Sequence, residues 1–183
     1  MVHCPSGISA RLSNIMLEEE INKFLEMDPV QFDQDENGWR SLVGKVTEED
    51  IANLILKYIE LNKNKIDEYN KDKDGEDFFP IDLLYFHSGQ SFAITGTKYY
   101  KKAIECFKKS YYDENECWNA YVDGTIAFLE GDKVGVEKQI QIVVESQAKN
   151  KKGGNIGILK NFSRSLHQGI KDYEKVYNLP KNE

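Results

Sequence analysis

From Pro80 to Pro180, apolar residues return every three or four positions in runs punctuated by glycine, and that period constrains the fold more than any other feature. Leu83, Phe86, Gln90 and Ala93 share one helical face, and Gly96 ends the run. Tyr100, Ala103, Ile104, Phe107 and Tyr111 form the next stripe. Trp118, Tyr121, Val122, Thr125, Phe128 and Leu129 form a third, with Asp113 or Asn115 placed to cap it and Gly131-Asp132 to stop it. Val136, Ile140, Val143 and Val144 mark a fourth, broken by Lys151-Lys152-Gly153-Gly154. A last helix carries Leu159, Phe162, Leu166, Ile170, Tyr173 and Tyr177 and ends before Pro180. Upstream, Thr47 and Asp50 read as a capping box ahead of Ile51, Leu54, Ile55, Tyr58 and Ile59. Residues 8–27 read as a first helix, and the Asn-, Lys-, Asp- and Glu-rich stretch 62–79 as a solvated loop that extends the preceding helix by a turn or two. The sequence therefore predicts an all-α fold of about seven helices with no strand.

Two glycine pairs repeat at one offset. Gly89 and Gly124 are 35 positions apart, as are Gly96 and Gly131. A glycine inside a helix lets a neighbouring helix approach closely, and Ala103 allows the same on the partner. The order Gly89, Phe92, Gly96, Tyr100, Ala103, Phe107 resembles the tetratricopeptide repeat, although the turn after Gly96 is two residues longer than in that family. The resemblance implies two stacked helix-turn-helix hairpins over residues 80–148. With them, the expected organisation is a single helical domain, 1–183: an acidic helical part over 1–79, the hairpins over 80–148, and a C-terminal capping helix over 155–178. The string from Trp118 to Asp132 also resembles one in small bacterial proteins, a likeness that implies no activity.

Charge narrows the function classes. The chain carries a net −7. Residues 18–50 hold eleven acids and three bases, a net −8, which leaves the remainder near +1. An acidic front third disfavours nucleic acid as a partner, because phosphate binding needs a basic surface. No apolar stretch reaches membrane-spanning length, residues 1–14 lack a signal-peptide core, and Cys4, Cys106 and Cys117 form no close pair. These features point to reduced thiols and a cytoplasmic protein that engages no membrane.

Each candidate site also has a plainer structural role. Asp33-x-Asp35-x-Asn37-Gly38 and Asn70-x-Asp72-x-Asp74-Gly75 begin like calcium loops, but Gly44 and Ile81 stand where the bidentate glutamate belongs, so both read as solvated turns. Lys151–Asn155 lacks the spacing of a phosphate loop and reads as a turn. Neither a metal nor a cofactor is expected, and no residue is assigned as catalytic. His87, Gln90, Trp118, Tyr121 and Thr125 are the candidate ligand-binding residues, read alternatively as a hydrogen-bonded half-buried histidine and ordinary helical core. Lys98, Lys101, Lys102, Lys108 and Lys109 form a basic edge. The leading functional expectation is a non-catalytic interaction or scaffold protein with a protein partner. The alternatives are a small-molecule binder or enzyme with a pocket near His87, Gln90 and Trp118, and an adaptor or immunity-type protein that binds a basic partner through its acidic front. The apolar face shared by the two hairpins is expected to be covered, by the helix after Thr47 or by the terminal helix.

Overall fold

The computed structural model describes residues 21–73, 78–113, 115–149 and 154–180. Residues 8–20 of the expected first helix, Asp74-Gly75 of the second calcium-like loop and Lys151-Lys152-Gly153 lie outside these. Residues 21–26 are helical. They are followed by α1 (Pro29–Gln34), a 3-10 turn (Trp39–Leu42), α2 (Glu48–Asn70), α3 (Ile81–Thr95), a 3-10 turn (Thr97–Tyr99), α4 (Tyr100–Lys108), α5 (Glu116–Glu130), α6 (Lys133–Ala148), α7 (Ile156–His167) and α8 (Tyr173–Tyr177). The described residues contain no strand, as the periodicity predicts.

More helices form than the seven or so expected, for two local reasons. Asp28 closes a capping box with Gln31 and places Pro29 in the first turn, so α1 forms and takes in Asp33, where the sequence reads a solvated turn. Gly169, at φ +75°, breaks the terminal run into α7 and α8. Helix α2 runs about three turns beyond its apolar stripe. Asn62 and Ile66 turn inward there, and the Asn62 amide donates to the carbonyls of Leu25 and Tyr58 at 3.1 and 3.2 Å. Helix α4 stops at Lys108, so Tyr111 sits in the following loop rather than on the stripe. Thr47 and Asp50 form the expected capping box, Asn115 caps α5, and Gly96 and Gly131 end α3 and α5.

Two apolar clusters meet across α2 and α3. One gathers Phe24, Phe32, Trp39, Ile51, Ile55, Tyr58 and Leu84, with the Phe32 ring stacked on Tyr58 at 3.7 Å. The other gathers Phe86, Phe92, Phe107, Tyr121, Phe128, Leu159, Phe162 and Tyr173. Within it α4 folds back on α3 so closely that a β-carbon at Gly89 would fall 2.8 Å from the Phe107 ring and 3.2 Å from the Ala103 carbonyl. A β-carbon at Gly124 would fall 2.6 Å from Leu159 on α7 and 3.3 Å from Gln139 on α6.

The terminal segment lies over the face that Gln90, Tyr121 and Phe128 share. Phe162 stacks on Phe128 at 4.2 Å, and Tyr173 packs on both rings. The Tyr100 hydroxyl accepts from the Tyr173 backbone N–H at 3.1 Å and donates to the Lys171 carbonyl. Among the described residues no helix is long and apolar enough to cross a membrane.

Candidate functional site

His87 and Gln90 are one helical turn apart on α3, so the helix alone brings their side chains together. The segment from Asp33 to Arg40 completes the cluster from the other side. It folds against α3 because Phe32 and Trp39 are drawn into the N-terminal apolar cluster, which carries Asp33 inward with them. Asp33 is completely buried. Its carboxylate accepts from Trp39 Nε1 at 2.9 Å, from Arg40 Nη1 at 2.9 Å and from Gln34 Nε2. The Arg40 guanidinium also reaches His87 Nε2 at 3.0 Å and lies 4.5 Å from the Trp39 ring centre.

The partners determine the state of His87. Arginine is a donor only, so Nε2 must accept, and Nδ1–H donates to Gln90 Oε1 at 3.1 Å. Such a ring is a neutral imidazole. Burial holds its pKa below the usual histidine range, and the Arg40 charge adds to that. The Asp33 carboxylate, 3.9 Å away, and the Gln90 hydrogen bond pull in the opposite direction and lose. With both ring nitrogens occupied, His87 has no lone pair available as a base or metal ligand. The cluster works as a clasp that ties the α1 segment to α3. Asp33 is therefore no part of a solvated turn, because the carboxylate that would begin a calcium loop faces the core.

Trp118, Tyr121 and Thr125 do not join the clasp. The Trp118 ring packs 4.8 Å from Phe86 and 5.9 Å from Tyr121, and its Nε1–H donates to the Ser110 carbonyl at 2.7 Å. Tyr121 is buried, with Tyr173 and Tyr177 beside its hydroxyl, and burial pushes its pKa well above the usual phenol value. Thr125 is buried and bonds back to the Tyr121 carbonyl at 2.9 Å. Phe86 stands between the groups, its ring centre 6.4 Å from that of His87. These three residues serve packing and loop anchoring.

Sequence reasoning missed Asp33, Trp39 and Arg40 as partners of His87. The available signal was a carboxylate beside Phe32 on the inward face of a short helix, with Trp-Arg six residues on. Cys106 and Cys117 are buried, and burial pushes the Cys106 pKa up, against a hydrogen bond it shares with Ser88. Among the described residues no group of three or more His, Cys, Asp and Glu side chains is arranged to hold a metal ion.

Comparison of the chain with protein-family models, with curated proteins and with solved structures finds no match.

Proposed function

We propose that this chain is a non-catalytic helical interaction protein that presents a preformed surface to a protein partner. The observation that carries the reading is the closed clasp. The buried cluster around His87 has each ring nitrogen engaged within the protein and Asp33 sealed under Trp39, Gln34 and Arg40, while the other histidine–carboxylate pair among the described residues, His167 with Glu137, lies exposed on the surface. A site that must exchange protons with a substrate needs at least one of those positions open.

The reading of α3–α4 and α5–α6 as tetratricopeptide-like hairpins rests on the 35-residue offset of their glycines. The close approach of Gly89 to Phe107 and Ala103 falls within the α3–α4 pair, whereas Gly124 lies nearest Leu159 on α7, outside the α5–α6 pair. Such arrays serve as binding scaffolds, which is an analogy of fold and no more. Binding of a basic partner through the acidic front draws less support, because several of those acids have local work. Asp28 and Asp50 build helix caps, Asp35 accepts from the Asn37 N–H at 2.8 Å, and Glu49 accepts from the Tyr99 hydroxyl.

The test is affinity capture of the tagged full chain after cross-linking in its source cells. The expected result is one stoichiometric protein that rebinds when both components are purified. The opposing result is no such protein, together with a metabolite that specifically raises Tm in a thermal-shift screen. That outcome would make the chain a small-molecule binder.

A further inference from the structure

A groove of about 410 Å³ opens between the start of α3 and the loop from α4 to α5, lined by Phe78, Asp82, Tyr111, Tyr112 and Asp113. Among the described residues its lining is one-sided: three aromatic rings, two carboxylates and no base. A third carboxylate, on Asp123, accepts from the Tyr111 hydroxyl and places negative charge at the edge of that ring. Phe78 and Tyr111 are 37% and 38% exposed, so the groove holds two of the chain's few exposed large aromatic side chains. The Asp82 carboxyl is held above the usual carboxylate range by burial and by the negative charge of Asp113.

Both walls are held rigid by the same device. The Asn70 side chain accepts from the Phe79 N–H and donates to the Phe79 carbonyl, each at 2.8 Å. The Asn119 side chain does the same for Tyr112, at 2.8 and 3.0 Å. Trp118 adds its bond to the Ser110 carbonyl. Backbone held in place before binding loses little entropy when a ligand arrives.

Elsewhere several rings carry one of the protein's own cations. Arg40 lies over Trp39, Lys73 over Tyr69, Lys109 beside Tyr85, and Lys102 beside Phe92 and Tyr99. Among the described residues, Phe78, Tyr111 and Tyr112 receive no such cation. The ion pairs formed among these residues likewise lie elsewhere, at Asp33 and Glu137. An aromatic and acidic cleft recognises an organic cation, through the ring faces and through hydrogen bonds to carboxylate oxygens.

We propose that this groove receives an arginine or lysine side chain of a basic segment on a partner protein. The proposal rests on the reading of the chain as an interaction protein, for which it names the class of partner.

The probe is a blocked hexapeptide carrying two arginines, titrated at low ionic strength into the ¹⁵N-labelled full chain. Its counterpart with citrulline in place of arginine, and choline, are run in parallel. The expected result is saturable shifts of the Phe78, Asp82, Tyr111, Tyr112 and Asp113 amides with the arginine peptide alone. The double variant Asp82→Asn, Asp113→Asn keeps the side-chain shapes and should bind roughly tenfold more weakly. Tyr111→Leu should cost about threefold, with folding of each variant checked by circular dichroism. Equal shifts from the citrulline peptide, or unchanged affinity in the double variant, would overturn the proposal. Choline that saturates the groove at lower concentration than the peptide would overturn it in favour of a small ammonium ligand. The two readings fail separately. A partner captured equally well by the double variant removes the groove and keeps the interaction protein, whereas charge-dependent peptide binding with no capturable partner does the reverse.

Discussion

Glycine 89 and glycine 124 occupy matching sequence positions but meet different neighbours. At Gly89 an added β-carbon would meet a ring wedged in the core and a backbone carbonyl, neither of which can turn away. At Gly124 the nearest atom is the tip of Leu159, which can change rotamer. Replacing a helical glycine with alanine also brings about 1 kcal/mol of intrinsic helix stabilisation. Gly89→Ala should therefore lower the midpoint of chemical denaturation, while Gly124→Ala should leave it near the wild-type value or raise it. Leucine at either position should cost roughly 1–3 kcal/mol through overpacking. Unchanged midpoints for both leucine variants would mean that these are not close helix contacts. Asp33 illustrates the same scale in polar form, since one buried carboxylate organises Trp39, Arg40 and Gln34 at once.

At the scale of elements, short clamps and one strap hold the helices in place. Asn70 and Asn119 each satisfy both backbone groups of a single loop residue. Asn119→Ala leaves the Tyr112 N–H and carbonyl without those partners, and should cost roughly 1–3 kcal/mol. Asn119→Asp keeps the acceptor but places a negative charge against the Tyr112 carbonyl, so it should not rescue the loss. Urea melts of both variants decide this; full stability in Asn119→Ala would show that the loop holds itself. The strap is the segment after Gln168. Tyr173 is fully buried against Phe128 and Phe162, and Asn161 donates to the Leu179 and Pro180 carbonyls at 3.4 and 3.2 Å. Truncation after Gln168 should bare those rings and produce binding of an apolar-surface dye or aggregation. A truncated chain that remains folded, monomeric and dye-silent would mean that the strap is not needed to cover the face.

For the whole molecule, the clasp makes stability depend on pH. His87 has a folded-state pKa below its ordinary value of 6.5, so the unfolded chain binds a proton more readily than the folded one. Its contribution is fully present above about pH 6.5 and declines as the pH falls below that value. His87→Gln does not titrate there, so the stability advantage of wild type over this variant should shrink between about pH 7.5 and pH 5.5. Carboxylates common to both chains cancel in the difference. An advantage constant across that range would show that His87 is not held neutral by the fold.

Much of the architecture is legible in the chain itself because its causes are local. Helical period, the Thr47 and Asn115 caps, and the stops at Gly96 and Gly131 all act within a few residues of where they are read. The pairing of His87 with Gln90 and of Trp118 with Tyr121 follows equally from helical spacing. Legibility fails where the cause is distant. That α2 continues through Asn70 depends on Leu25 waiting to accept from Asn62. That Tyr111 leaves its helix and joins Phe78 and Asp82 in one groove depends on Asn119 and on the docking of α3 beside the loop. Arg40 lies 47 residues from His87, and nothing in the spacing of either says that they meet. The sequence by itself determined that the chain coils and where the capped and glycine-ended helices begin or stop, as at Thr47, Gly96, Asn115 and Gly131, since those are balances of short-range backbone terms. Only the tertiary structure decided which polar groups were buried together and which aromatic rings were left open, because those outcomes depend on which faces the collapsing helices turn toward one another.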